Sequence, residues 1–262
     1  MSIHARQLEL FELEPERLPR ASDNGTSSFS DPAFAGNKSL PIHRWVPWIA
    51  GFSRDFVRDA FDRYLGSSGT VLDPFSGVGT TLVEAVLSGH ETVGFEINPY
   101  AALACRVKVG AYRIDIDVLY DEITRMRTFY EQRVSSDYVP KSASPTGFRT
   151  RSAFYSSEVL RKVLLIQDYI GTIEDDLVRD LFRLAFAATM VRYSNYSYEP
   201  SLGRRVSAGK DEILDFAVGR TVLARLGEML EDIVWFREQL SGSHPRAQVV
   251  NDSFFHYRDC LD

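Results

Sequence analysis

Apolar residues recur at spacings of three and four from Trp45 onward: Trp45, Trp48, Ile49, Phe52, Phe56, Ala60, Phe61 and Tyr64. That is the period of one face of a helix. Gly51-Phe52-Ser53 predicts a break in it, with Ser53 capping the second piece. The pattern then changes. Thr70–Leu72 reads as a short strand, followed by a glycine-rich turn and a helix over Thr81–Ser88 that Gly89 stops. A second strand is expected over Thr92–Phe95, ending at Glu96, and Asn98-Pro99 turns the chain into a helix over Ala101–Arg106. Strand, turn, helix, strand is the opening of a doubly wound α/β sheet.

Helical periodicity dominates the next stretch of chain. Residues 115–133 read as helix and 134–152 as a Ser-, Pro- and Gly-rich loop. Helices are then expected at about 157–170, 174–192 and 210–240, the last carried by Ile213, Phe216, Ala217, Leu223, Leu226, Leu230, Ile233 and Val234. A polar segment, SNYSYEPSLGRRVSAGK, divides the second of these from the third, and a final strand, Gln248–Val250, leads into Asn251-Asp252. Strand chemistry therefore stops at residue 96 and resumes near 248. An unstructured connection of that length is uncommon in a compact domain, so a helical block interrupting the sheet is expected. The predicted organisation is a flexible arm over 1–40, an α/β part over 41–110, a helical insertion over 111–245 and a third sheet strand with its adjoining turn over 246–262.

Composition narrows the class. Of 262 residues, 44% are hydrophobic and 25% charged, which suits a globular domain with a real core. No apolar run approaches the length of a membrane span, and the first twenty residues are too charged for a secretory signal; a cytoplasmic protein is expected. Two cysteines, Cys105 and Cys260, form no disulfide framework, and the five histidines show no metal-ligand spacing. A net charge of −6 argues against nucleic-acid binding by the whole surface but leaves room for a local basic face.

The run VLDPFSGVGTT carries the chemistry. It puts Asp73 at the end of a strand and Gly77 and Gly79 in the turn after it. Glycines permit positive φ and close approach of backbone to a ligand, and open α/β sheets bind ligands at the carboxyl ends of their strands. The third glycine of a dinucleotide fingerprint is replaced by Leu82. A carboxylate at Asp73 would repel a pyrophosphate, whereas it suits a ligand with an amino group and a sulfonium, as S-adenosylmethionine (SAM) has. Glu96, 23 positions later, is placed to accept bonds from ribose hydroxyls. Asp252, after the third strand, is placed for the adenine amino group, with Phe254, Phe255, Pro99 and Tyr100 as candidate walls for the purine. Each acid alone has an ordinary reading: a helix cap for Asp73, a solvated strand end for Glu96, a turn residue for Asp252. Their joint placement favours the cofactor.

DPFSGVGTT and VGFEINPYAALACRVK resemble the cofactor motifs of bacterial DNA N4-cytosine/N6-adenine methyltransferases of restriction–modification systems. HRWVPWIAGFSRDFV resembles that family's cofactor-side N-terminal helix, VVNDSFF its third strand motif, and SNYSYEPSLGRR is also similar to family sequence. The resemblance implies a SAM-dependent methyltransferase fold, Rossmann-like, in which Asp73, Phe75, Gly77 and Gly79 surround the methionine part of SAM, with Thr80 in the same cofactor-binding turn. It implies that Glu96 holds the ribose, Asn98 and Pro99 line the adenine, Asp252 reads it, and Phe52 and Ser53 approach the methionine end from the N-terminal side.

The family's catalytic tetrapeptide, Ser/Asp/Asn-Pro-Pro-aromatic, is absent: no two prolines are adjacent anywhere in the sequence. Neither cysteine follows a proline, so a C5-cytosine mechanism does not replace it. The chain is therefore expected to be the SAM-binding part of a DNA N-methyltransferase that is inactive alone and needs a second subunit or a further C-terminal part. The alternatives are a non-catalytic remnant or regulatory module, and a methyltransferase for a small molecule or protein. Lys141, Arg149, Arg151, Arg204 and Arg205, with Lys210, are the DNA-binding candidates, and Tyr193, Tyr196 and Tyr198 lie near the second cluster as stacking surfaces.

Overall fold

The computed structural model describes residues 29–48, 51–66, 69–144, 153–197, 202–240, 242 and 245–260. Two short 3₁₀ helices, Phe34–Ser39 and His43–Trp45, precede α1 (Arg54–Tyr64), β1 (Thr70–Asp73), α2 (Thr80–Leu87), β2 (Glu91–Phe95) and α3 (Pro99–Gly110). Helices α4 (Ile116–Val134), α5 (Ser157–Ile170) and α6 (Asp176–Thr189) come next. A two-residue ribbon of β3 (Tyr196–Ser197) and β4 (Gly203–Arg204) then leads to α7 (Val218–Leu240), β5 (Ala247–Val250) and α8 (Tyr257–Cys260). Strands β1, β2 and β5 form one parallel sheet in that order, with Asp73 opposite Gly94 and Phe95 opposite Val250. Because all three run the same way, their carboxyl ends share one edge.

The three strands of the parallel sheet fall within a residue or two of their expected positions, whereas the β3–β4 ribbon forms in the segment read as polar and strandless. Three further expectations need correction. The stripe from Trp45 to Tyr64 is one α-helix only from Arg54; Trp45 ends a 3₁₀ turn, and Pro47 and Gly51 lie between them. Ser53 does cap α1, its hydroxyl accepting the Phe56 N–H at 3.2 Å. The helix expected over 210–240 begins at Val218. Upstream of it, backbone groups are bound by side chains: the Ile213 N–H donates to Asn195, the Phe216 N–H to Asp215, and the Leu214 carbonyl accepts the Ser156 hydroxyl. Such local bonds compete with helix. Finally, residues 29–40 are not a loose arm. Ala33 bridges Phe52, and the buried Asn37 donates to the Phe52 carbonyl at 3.0 Å and accepts the Arg54 N–H at 2.9 Å. The rest of the expected arm, residues 1–28, lies outside the described residues.

Val71 on β1 packs with Ala85 of α2 and with Val57 and Phe61 of α1, so these two helices cover one sheet face. The approach is close enough that a Cβ on Gly94 would lie 2.5 Å from a Leu82 methyl. On the opposite face Leu72 is 49% exposed, and Phe95 meets Phe254 edge-on at 5.4 Å. A single core joins Leu82, Val86 and Val107 of the α/β part to Leu119, Leu181, Leu226 and Phe236 of the helices. The segment before α1 is fastened to α7 by one buried carboxylate. Asp232 accepts the Ile42 N–H (2.8 Å), the Trp45 indole N–H (2.8 Å) and two guanidinium N–H groups of Arg44 (3.1 and 2.6 Å). Among the described residues, no helix is long and apolar enough to cross a membrane.

Candidate functional site

The turn between β1 and α2 is built from glycine conformations and held from below. Gly77 and Gly79 have φ of +52° and +82°, and Gly79 is the residue before the first turn of α2. The Cys105 thiol donates to the Gly77 carbonyl at 3.1 Å, and the Lys108 ammonium to the Val78 carbonyl at 3.0 Å. A Cβ on Gly79 would sit 3.0 Å from the Cys105 sulfur. From above, the Trp48 indole nitrogen would lie 3.4 Å from a Cβ on Gly77. Thr80 is buried, its hydroxyl 3.4 Å from the Asn37 amide.

The three acids stand at the carboxyl edge of three adjacent strands. Asp73 closes β1 and accepts the Phe75 N–H at 3.0 Å. Glu96 comes directly after β2, and its two oxygens accept the Gly77 N–H at 2.8 Å and the Asn98 N–H at 2.7 Å. Asp252 lies just beyond β5. The Ser253 N–H at 2.6 Å and the His256 imidazole at 3.0 Å hold its carboxyl below the usual carboxylate range. A carboxylate has about four acceptor positions, so each acid shapes its own loop and keeps capacity for a ligand. Asn98 caps α3 with Pro99 as its first residue. Asn251 ties the β5 tip to the β2 tip, its amide donating to the Glu96 carbonyl at 2.8 Å. Phe75 and Phe255 are about three-quarters exposed, at 76% and 75%.

Phe52 and Ser53 sit one layer further out. Phe52 is half exposed and packs on Phe56 at 5.2 Å. The Ser53 hydroxyl donates to the Asp31 carbonyl as well as capping α1. On α2 itself, the fully buried Glu84 accepts from Arg58 at 2.6 Å and lies 2.7 Å from His43 Nε2. Burial lowers the His43 pKa, so the imidazole is neutral at pH 7 and donates to Glu84.

Burial dominates at Lys108 and Cys105. It pushes the thiol up to about 12, which keeps it a protonated donor, and brings the Lys108 pKa down to about 8. In the unfolded chain this lysine titrates near its ordinary 10.5. Between those values the unfolded state holds more protons, so the Lys108 contribution to stability rises as pH climbs from about 8 to 10.5, by on the order of 3 kcal/mol. Lys108→Met removes that rise. Urea unfolding at pH 7 and pH 10 is expected to show the variant losing ground to the native chain at the higher pH; parallel pH profiles for the two would contradict it.

The DNA-binding candidates divide. Lys141 and Arg204 are exposed, and Arg205 donates through Nε to the Asp211 carbonyl at 2.9 Å. Arg149, Arg151 and Tyr198 lie outside the described residues. Tyr193 and Tyr196 require correction as stacking surfaces. Tyr193 is fully buried against Tyr155, and Tyr196 is 9% exposed and stacked on Phe154 at 5.2 Å. Sequence reasoning missed Asn37, Trp48, Cys105 and Lys108 as supports of the turn. For Lys108 a signal existed: it is the charged residue in VKVGA, on a helix that is apolar nearly all round.

Residues 48–105, from Trp48 to Cys105, match the DNA methylase family model for N6/N4 methyltransferases. Among curated proteins, the type II methyltransferase M.BsoBI of Geobacillus stearothermophilus is 27% identical over 146 residues, covering 54% of this chain and 29% of that protein. M.MvaI of Kocuria varians is 29% identical over 187 residues, covering 68% and 40%. M.AvaI of Nostoc sp. is 37% identical over 68 residues, covering 26% and 14%. The matched stretch thus spans less than half the length of each of these relatives. No solved structure gives a significant match. Among the described residues no group of side chains is arranged to hold a metal ion. The family match lies across the glycine turn and both strands that flank it, and in that stretch the chain is similar to the N6/N4 DNA methylases and to type II methyltransferases of restriction–modification systems.

Proposed function

We propose that this chain is the SAM-binding part of a site-specific DNA methyltransferase acting on the exocyclic amine of a base, N4 of cytosine or N6 of adenine. The observation that carries this is the row of three carboxylates, Asp73, Glu96 and Asp252, on three adjacent parallel strand tips around the Gly77–Gly79 turn. The donor set fits SAM. Glu96 takes the ribose hydroxyls, Asp252 the adenine amino group, and Asn98, Pro99 and Phe255 border the base. Asp73, with Phe75, Gly77, Gly79 and Thr80, faces the cationic methionine end. Phe52 and Ser53 flank it through the Phe52 backbone that Asn37 fixes. SAM supplies an activated methyl group; these residues bind and orient it, and positioning is the larger part of catalysis for such a transfer. The fold is a doubly wound, Rossmann-like sheet with a helical insertion between β2 and β5.

The base-side machinery comes from elsewhere, a partner subunit or a further part of the protein. Two features support this. The sequence contains no Pro-Pro-aromatic motif. Parallel sheets are ordinarily covered on both faces, yet Leu72 is half exposed, and among the described residues β1 pairs with β2 alone. Lys141, Arg149, Arg151, Arg204 and Arg205 contact DNA phosphates, and the cytoplasm is the place of action. Labelled methyl transfer tests the reading. This chain alone is expected to leave duplex DNA unmethylated, and addition of a polypeptide carrying a Pro-Pro-aromatic strand to restore transfer. Turnover by the chain alone contradicts the two-part reading, and lasting inactivity of the combination favours a non-catalytic SAM-binding module.

A further inference from the structure

A cavity of about 430 Å³ opens on the flank of the sheet, between β5, α3 and α6, away from the glycine turn. Three arginines from separate places in the chain line it: Arg106 on α3, Arg113 just after α3, and Arg246 just before β5. All three are exposed, and none of their guanidinium groups has a hydrogen bond or ion pair among the described residues. Asp176 and Asp180 also line the cavity, but each has its own arginine one helical turn on, Arg179 and Arg183. The lining itself thus carries three arginines against two carboxylates, and with Arg179 and Arg183 counted the surroundings of the cavity keep a net charge of three in a chain whose net charge is −6. Three like charges around one space repel one another unless an anion lies between them. A carboxylate offers two oxygens in one plane and matches one guanidinium fork. A phosphate is tetrahedral and accepts from several directions, and arginine is the side chain suited to it.

We propose that this groove binds a phosphate of the DNA backbone, as a positioning site separate from the cofactor site. The proposal rests on the reading of the chain as part of a DNA methyltransferase. Arg113 and Arg246 lie toward the amino ends of the strands, far from the edge that holds the acids. The groove therefore orients the duplex without reading bases, and its grip depends on salt but little on sequence.

The test is fluorescence anisotropy of a labelled duplex across a salt series. It uses the full chain and the triple variant Arg106→Gln/Arg113→Gln/Arg246→Gln. The variant is expected to bind DNA about tenfold or more weakly, with the salt slope reduced by roughly one for each phosphate that is no longer neutralised. The matching triple Arg→Lys variant is expected to recover most of the slope. Excess inorganic phosphate and a mononucleotide are added as competitors. Displacement of the duplex only at high concentration supports a backbone site, whereas tight mononucleotide binding that excludes the duplex overturns it. Equal affinity and slope in native and triple Gln proteins also overturn the proposal. The exposed single variant Arg246→Gln, expected to lower the slope by about one, gives the same decision should the triple variant misfold. SAM affinity, followed by calorimetry on the same proteins, is expected to be unchanged. Its absence in the native chain would count against the methyltransferase reading and leave the groove to be judged on DNA alone.

Discussion

Glu96→Ala is expected to weaken SAM binding by roughly ten- to a hundredfold, or about 1.4–3 kcal/mol. Two losses combine. The side chain accepts the Gly77 and Asn98 N–H groups, so it ties the glycine turn to the start of α3. Its remaining acceptor positions are the ones assigned to the ribose. A carboxylate making charge-assisted bonds is worth roughly twice a neutral acceptor, so Glu96→Gln should fall between the native protein and the alanine variant. Calorimetric titration with SAM measures both. Native affinity in Glu96→Ala would remove Glu96 from the site and leave it as a loop tie only.

Asp232→Ala is expected to lower stability by about 3 kcal/mol, the lower end of what breaking a buried ion pair costs. The carboxylate serves four donors and is 3% exposed. Arg44 is 30% exposed and can turn back to water, which reduces its share of the loss. The Trp45 indole N–H and the Ile42 N–H are buried and would have no acceptor. Asp232→Asn keeps one acceptor oxygen and should lose less. Equilibrium urea unfolding followed by tryptophan fluorescence reads the difference; a loss below about 1 kcal/mol would mean that the fastening to α7 rests on apolar packing instead.

The turn between β1 and α2 is legible in the sequence because its glycines and Asp73 sit between two short apolar runs, and strand period and turn chemistry agree. The positions of Glu96 and Asp252 are legible for the same reason: each ends such a run. The strap over residues 29–40 is not. Its key buried group, Asn37, is polar, and a stretch of Ser, Asp, Asn and Gly reads as solvent-facing until its tertiary bonds are known. Tyr193 and Tyr196 mislead in the opposite way, since tyrosines in a polar run suggest a surface, while here they join the aromatic layer with Phe154 and Tyr155. The late start of α7 is hidden because Ile213 and Phe216 keep helical spacing although their N–H groups are taken by Asn195 and Asp215. The arginine groove depends on the chain bringing residues 106, 113 and 246 together, and no local pattern encodes that.

One titration bears most directly on the placement of three acids around a single cationic adenosyl ligand. Purified chain is titrated with SAM and, in parallel, with a dinucleotide carrying a pyrophosphate. The expected result is saturable one-site binding of SAM, lost stepwise on replacing Asp73, Glu96 and Asp252, and no binding of the diphosphate. Binding of the pyrophosphate ligand at the Gly77–Gly79 turn, with SAM left unbound, would contradict it.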